Sequence, residues 1–293
     1  MSEGQIRKAI SGFYYVKHDE GTVRCRGRGV FRKRKITPLV GDWVTYVQAG
    51  QEDATITEVH PRKNELVRPP VSNIDLALLA VSIVEPAFSS SLLDRFLVLV
   101  ESHGIKPVIC LTKKDKTNEH ELQAAEEAAN YYRSIGYDVL LTSINEPDLL
   151  NKIRPYLEEK TTVLAGQSGV GKSTLLNTLL PGLSLETGEI SESLGRGKHT
   201  TRHVELHEVA GGLVADTPGF SSLEFDTLEK QELGSCFPEF AKAAEQCKFR
   251  GCLHLKEPSC EVKAQVESGE ILKGRYDHYL QFMQEIMDRK PRY

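Results

Sequence analysis

Two short stretches decide the fold, and their order matters as much as their content: Thr112-Lys113-Lys114-Asp115 comes first, and Gly166-Gln167-Ser168-Gly169-Val170-Gly171-Lys172-Ser173 follows it. The second is a complete phosphate loop. Glycines at 166, 169 and 171 let the backbone turn successive N–H groups inward, and a helix starting near Lys172 adds the positive end of its dipole. In that cradle Lys172 is expected to reach the β- and γ-phosphates, Ser173 to ligate Mg²⁺, and Thr174 to extend the contact. The flanks agree: Thr161–Ala165 reads as a short buried strand, and residues 173–180 read as a helix.

A phosphate loop holds ATP and GTP alike, so base choice falls to Asp115. At the end of an apolar strand, its carboxylate can accept both N1–H and the N2 amino group of guanine, a donor pair adenine lacks. Lys113 is expected to lay its stem over the ring, with Lys114 beside it. Thr112 stands where the usual motif has Asn, and its hydroxyl can still tie the motif to the phosphate loop. Thr142-Ser143, after the strand Asp138–Leu141, sits where a GTPase supports the base. Charged tetrapeptides are commonly just solvated, so this one takes its meaning from the phosphate loop. In an ordinary GTPase the phosphate loop comes first and the guanine motif last; here the order is reversed, which predicts a circularly permuted GTPase domain.

Downstream, the apolar run 212–215 leads into Asp216-Thr217-Pro218-Gly219, a switch II pattern. Asp216 is expected to hold a Mg²⁺-bound water, and the Gly219 N–H to sense the γ-phosphate. Between it and the phosphate loop, Gly195-Arg196-Gly197-Lys198-His199-Thr200-Thr201-Arg202 reads as switch I, with Thr200 or Thr201 on Mg²⁺; the plainer reading is a solvated connector. Phe220 follows the switch II glycine, where many GTPases carry a water-orienting Gln. Hydrolysis by the isolated chain should therefore be slow. His199 either positions the water or is a loop histidine facing a partner or solvent.

Near the C-terminus, Cys247-x4-Cys252-x-His254-x5-Cys260 offers three thiolates and an imidazole, the donor set of a closed tetrahedral structural Zn²⁺ site. Disulfides fit less well: there is no secretory signal, and Cys25, Cys110 and Cys236 are scattered, as suits a reducing cytoplasm. The first seventy residues alternate like strands over 12–16, 22–31, 42–47, 54–59 and 66–68, which predicts a five-stranded OB-fold barrel. Arg24, Arg26, Arg28, Arg32, Lys33, Arg34 and Lys35 crowd one of its hairpins in a chain of net charge −4. That asymmetry marks either an RNA phosphate-binding face or a solvated hairpin. From there to the phosphate loop, strands and helices alternate as in a doubly wound α/β domain, with helices over 91–101, 119–134 and 147–157. After switch II the chain turns helical and charged, with a helix start at Pro238 and a basic tail. A length of 293 residues and these patterns imply three modules: an all-β OB-fold over 1–70, a permuted P-loop GTPase domain over 71–225 and a mainly helical zinc-binding domain over 226–293. The most apolar stretch, residues 76–84, is too short to span a bilayer.

Barrel, permuted motif order and Cys3His segment together resemble, along essentially the whole chain, the RsgA family of small-subunit-dependent GTPases (YjeQ and YloQ). The resemblance implies action in late maturation of the bacterial 30S subunit on 16S rRNA, with hydrolysis stimulated by that subunit. It implies a hydrophobic residue in the glutamine slot, His199 as the catalytic group, GTP or GDP with Mg²⁺, one structural Zn²⁺, and binding of guanosine tetra- and pentaphosphate. A cytoplasmic monomer without membrane contact is expected. Two rivals stay open on the residues alone: a nucleotide-gated RNA-binding module with little turnover, and a GTPase acting on tRNA or translation factors.

Overall fold

The computed structural model describes residues 1–29, 31, 36–48, 53–179, 204–216 and 223–289. The barrel is built from β1 (Ser2–Ile10), β2 (Phe13–His18), β3 (Gly21–Gly27), β4 (Trp43–Val47) and β5 (Ala54–Val59). They run in the order β1-β2-β3-β5-β4, and β4 pairs back onto β1, closing the sheet. Closure removes free edges and buries Ile6, Val16, Cys25, Val44 and Ile56 completely. The expected first strand over 12–16 is in fact the second. Met1 and the charged residues of β1 hide its alternation, and the barrel takes its fifth strand from there. Of residues 66–68 only Leu66 is in a strand, in a two-residue ladder of β6 (Glu65–Leu66) and β7 (Val71–Ser72) in the connector.

Asp42 fastens that connector to the barrel. Fully buried, it accepts hydrogen bonds from Arg62 Nε and Nη2 at 2.7 Å, Ser72 Oγ at 2.6 Å and the Leu39 N–H at 2.7 Å. A buried carboxylate is tolerable only with its lone pairs satisfied in this way.

The central domain follows with β8 (Leu76–Ser82), α1 (Ser90–Glu101), β9 (Lys106–Thr112), α2 (Glu119–Ser134), β10 (Asp138–Leu141), α3 (Leu149–Leu157), β11 (Thr161–Ala165), α4 (Lys172–Leu179), β12 (Val204–Val209) and β13 (Gly212–Asp216). Every residue of β8 and β11 is buried, as befits strands covered by helices on both faces. α1 starts where Ser89 Oγ accepts the Leu92 N–H, and α2 starts with a reciprocal capping box between Asn118 and Glu121. The strand order is β10-β9-β8-β11-β13-β12, parallel except for β12, so the strand feeding the phosphate loop lies inside the sheet although it comes late in sequence. β12 also pairs with β1, joining barrel and central sheet into one 11-stranded sheet.

The C-terminal module comprises α5 (Pro238–Ala244), α6 (Glu261–Ser268) and α7 (Lys273–Asp288). Its core of Phe237, Phe240, Tyr279 and Phe282 includes Val98 and Leu99 of α1. Beneath this seam Asp94, fully buried, accepts Arg275 Nη1 and Tyr132 Oη at 2.6 Å and His278 Nδ1 at 2.5 Å, while Arg275 Nε reaches Glu239 at 2.7 Å. No helix is long and apolar enough to cross a membrane among the described residues.

Candidate nucleotide site and metal centre

The nucleotide motifs among the described residues sit where the parallel strands end. Thr112 closes β9, Thr142 follows β10, Gly166 follows β11, Asp216 closes β13, and the 83–88 loop leaves β8. That edge is where open α/β sheets bind ligands, because the loops there are free to converge while the strands hold their bases. The phosphate loop has the backbone its glycines allow. Gly166, Gly169 and Gly171 have φ of 144°, 79° and 97°, and a Cβ on Gly166 would stand 2.1 Å from the Ala80 carbonyl. Gln167, Ser168 and Gly169 are exposed, while Val170 is buried and anchors the loop. Lys172 Nζ folds back to donate to the Gly166 and Gln167 carbonyls at 2.8 and 2.6 Å, and burial holds its pKa below the usual lysine value. A phosphate would replace two neutral acceptors with a charged one. Ser173 is exposed in the first turn of α4, with Thr174 half-buried behind it.

The guanine loop is bonded directly to the phosphate loop. Thr112 Oγ1 donates to the Val170 carbonyl at 2.7 Å, so the threonine hydroxyl makes the tie expected of it. Lys113 takes a left-handed φ of 62° and its Nζ donates to the Glu85 carbonyl, stretching its stem along the site. Burial and the nearby Lys116 lower its pKa, against the pull of Glu85 and Asp115. Lys114 and Asp115 lie in a 3₁₀ turn over Lys114–Lys116, and the Asp115 carboxylate is exposed. Its one side-chain hydrogen bond among the described residues is from Asn145, whose Nδ2 is 3.4 Å from Oδ2. Asn145 and Glu85 carry no motif letter and were not picked out from sequence; the signal for each is only its place just beyond a strand's C-terminal end. Thr142 and Ser143 are buried and act on the scaffold. The Thr142 N–H and carbonyl bond Leu111 and Lys114 across the two loops, and Ser143 Oγ accepts the Asn145 N–H at 3.0 Å. The Thr142 hydroxyl turns inward to the Leu111 carbonyl at 3.2 Å. His199, Thr200, Thr201, Gly219 and Phe220 lie outside the described residues, as does the side chain of Asp216.

The four C-terminal donors converge. Cys247, Cys252, His254 and Cys260 bring their ligand atoms within 4.8 Å of one another, with His254 Nδ1 3.3 Å from Cys260 Sγ and 3.8 Å from Cys247 Sγ. Cys247 and Cys260 sulfurs are 4.0 Å apart. Zn–S bonds of about 2.3 Å in a tetrahedron put sulfurs roughly 3.8 Å apart, so a cluster of this size and donor chemistry fits Zn²⁺. The cage is held from behind: Tyr276 and Tyr279 on α7 donate to the His254 and Leu253 carbonyls at 2.6 and 2.7 Å.

On the barrel, Arg24, Arg26 and Arg28 are exposed, but Arg24 and Arg26 are not free charges. Both pair with Asp53 and both lie over the Phe13 ring, at 5.0 and 4.5 Å. Arg32, Lys33, Arg34 and Lys35 lie outside the described residues.

A phosphate loop on an inner parallel strand, the Thr112–Asp115 loop bonded to it and a permuted motif order define a circularly permuted P-loop GTPase. Family models describe the parts: RsgA GTPase matches residues 59–226 and RsgA N-terminal domain residues 3–56. The chain belongs to the RsgA family. It is 58% identical, over the full length of both chains, to the small ribosomal subunit biogenesis GTPase RsgA of Bacillus cereus and to that of Bacillus subtilis. Among solved structures it resembles YloQ, described as a circularly permuted GTPase, with a TM-score of 0.85 at 53% identity, covering 100% of this chain and 97% of that one. YjeQ from Thermotoga maritima gives a TM-score of 0.85 at 35% identity, covering 98% and 99%.

Proposed function

We propose that the chain hydrolyses GTP to GDP and phosphate, is stimulated by the 30S subunit, and acts in late maturation of that subunit through contacts with 16S rRNA. The observation that carries this reading is the Thr112 to Val170 hydrogen bond, which locks a guanine-reading loop to a complete phosphate loop at one sheet edge. Relatives of the same length named for small-subunit biogenesis support the ribosomal destination.

In this mechanism residues 166–174 cradle the phosphates, and Lys172 leaves its loop carbonyls for the β- and γ-oxygens. Asp115 accepts the guanine N1–H and N2–H, and Lys113 covers the ring. Ser173 and Asp216, with Thr200 or Thr201, would hold Mg²⁺, which when bound neutralises phosphate charge. The Gly219 N–H reads the γ-phosphate, and His199 orients the attacking water in place of the glutamine that Phe220 displaces. Cys247, Cys252, His254 and Cys260 would hold a structural Zn²⁺. The barrel cations Arg24, Arg26, Arg28, Arg32, Lys33, Arg34 and Lys35 supply RNA affinity. The working units are residues 1–70, 71–225 and 226–293, in a cytoplasmic monomer. Guanosine tetra- and pentaphosphate, which share the base and 5′-diphosphate, are further ligands.

The test is GTP turnover by the chain alone, with 30S and with 50S subunits. Slow basal turnover and strong acceleration by 30S only is the expected result. A rate indifferent to 30S would point to a nucleotide-gated RNA-binding module, and stimulation by tRNA or a translation factor to the other rival.

A further inference from the structure

At the opposite edge of the central sheet from the phosphate loop, a cavity of about 670 Å³ opens between barrel and GTPase domain. That is ample for a mononucleotide, since ligand sites run from roughly 300 to 1,000 Å³. Its floor is the Ala210-Gly211-Gly212 turn between β12 and β13, which packs so closely on the end of α3 that a Cβ on Gly212 would stand 1.9 Å from the Leu157 carbonyl. Its walls carry Arg7, Lys160, Glu159 and Glu208, and Trp43 stands at the mouth with half its surface exposed.

Arg7 is the informative residue. The β1–β2 register shifts between Ile6 and Lys8, so Arg7 is the extra residue of a β-bulge, a device that re-aims a side chain. The bulge turns it into the wall of the cavity, and its Nε and Nη1 are buried without any acceptor among the described residues. Glu208 is near enough to attract it but does not bond it, and burial outweighs that attraction in lowering its pKa. Buried guanidinium donors without an acceptor are rare because their desolvation is uncompensated, which makes the group a candidate anion receptor. Lys160, Glu159 and Glu208 form no ion pair among the described residues, whereas the neighbouring Lys63 and Asp75 satisfy each other. The wall thus offers cations for a phosphate, carboxylates for hydroxyl groups and an indole face for a base.

We propose that this interdomain cavity binds a single ribonucleotide, with its base on Trp43, its ribose hydroxyls on Glu159 or Glu208 and its phosphate on Arg7 and Lys160. An aromatic platform of this kind is tolerant of base identity. The nucleotide is either a free nucleoside monophosphate or one residue of a single-stranded RNA. The free-ligand form is independent of the function proposed above, and the strand form extends it.

Trp43 is the only tryptophan of the chain, so its fluorescence reports the site directly. The full-length protein, saturated with GDP and Mg²⁺ to fill the phosphate loop, is titrated with adenosine monophosphate and separately with a hexamer of oligoadenylate. Saturable quenching by both at similar concentrations supports the free nucleotide; quenching by the hexamer at a concentration at least a hundredfold lower supports the strand. Arg7→Met is expected to weaken quenching at least tenfold while leaving the unfolding temperature unchanged or raised, and Lys160→Met to weaken it without touching the bulge. No quenching by either ligand, or quenching that survives both substitutions, overturns the proposal and leaves nucleotide binding at the phosphate loop intact.

Discussion

At the scale of single residues, the site rests on a few polar groups with distinct tasks. Among the described residues Asp115 hydrogen-bonds only Asn145, at 3.4 Å, which leaves its exposed carboxylate free for the guanine role proposed above. Asp115→Asn presents a donor where N1–H needs an acceptor; guanine nucleotides should weaken by about tenfold or more, and xanthine nucleotides should gain. Competition titrations with GDP and xanthosine diphosphate read both, and unchanged GDP affinity would remove Asp115 from the site. Thr112 acts one step away. Thr112→Val keeps the shape and deletes the bond to Val170, leaving that carbonyl short of a donor, so nucleotide affinity should fall roughly fivefold, the equivalent of about 1 kcal/mol. The role proposed for His199 rests on its position in the chain. His199→Ala should lower the 30S-stimulated rate at least about a hundredfold and leave GTP binding and 30S association intact. Normal turnover on 30S would assign the water to rRNA or to another side chain.

At the scale of elements, what sequence made legible was whatever depends on local chemistry. The phosphate loop could be read because glycine is needed wherever φ is positive, and Gly166 shows the requirement at its sharpest. Gly166→Ala forces a Cβ against the Ala80 carbonyl at 2.1 Å and holds alanine at φ 144°, so strained backbone of about 2 kcal/mol should lower the unfolding temperature by roughly 4–8 °C and abolish GTP binding. A variant that melts and binds like the parent would show that the loop relaxes freely. The helix expected over 119–134 is observed over Glu119–Ser134, and the structure adds the capping box of Asn118 and Glu121 that fixes its start. Strand β1 was not legible, because its side chains split between the barrel interior, the bulge at Arg7 and the pairing with β12. The charge run of the basic hairpin was plain, but the pairing of Arg24 and Arg26 with Asp53 was not, since it joins positions far apart in the chain. Nor was Asp94, an acid on an apolar helix face, whose partners lie on α2 and on α7 near the other terminus.

At the scale of the molecule, α1 joins the central domain to the C-terminal module that carries the Cys3His cluster. Arg95 donates to the Leu223 carbonyl and to Glu285 at 3.0 Å and packs over the Phe225 and Phe282 rings at 4.7 Å, gripping the chain just beyond switch II. Asp94 and Arg275 fix the same helix to α7. Removing Arg275 leaves Asp94 and Glu239 buried without their cation, so Arg275→Met should cost about 3–5 kcal/mol, visible as an earlier unfolding transition. Metal removal acts elsewhere. The Cys3His loop over 247–260 gathers its four donors between two tyrosine hydroxyls and the Glu257 carboxylate, which accepts the Leu253 and Leu255 N–H groups at 2.8 Å, whereas the phosphate loop draws on the separate core of Leu164, Val170, Leu175 and Leu176. Chelation, or Cys252→Ser, should therefore strip hydrogen-exchange protection from residues 247–260 and the helices α5 and α6 that flank them, since structural Zn²⁺ contributes on the order of 10 kcal/mol to such segments. Because α7 is also held by Arg275 and Arg95, its inner face should keep part of its protection. GDP affinity should stay within about threefold, as sites with no shared partners add independently. If GDP affinity falls in step with loss of the metal, the seam at α1 transmits the state of the zinc loop to the nucleotide site, and the two are one cooperative unit.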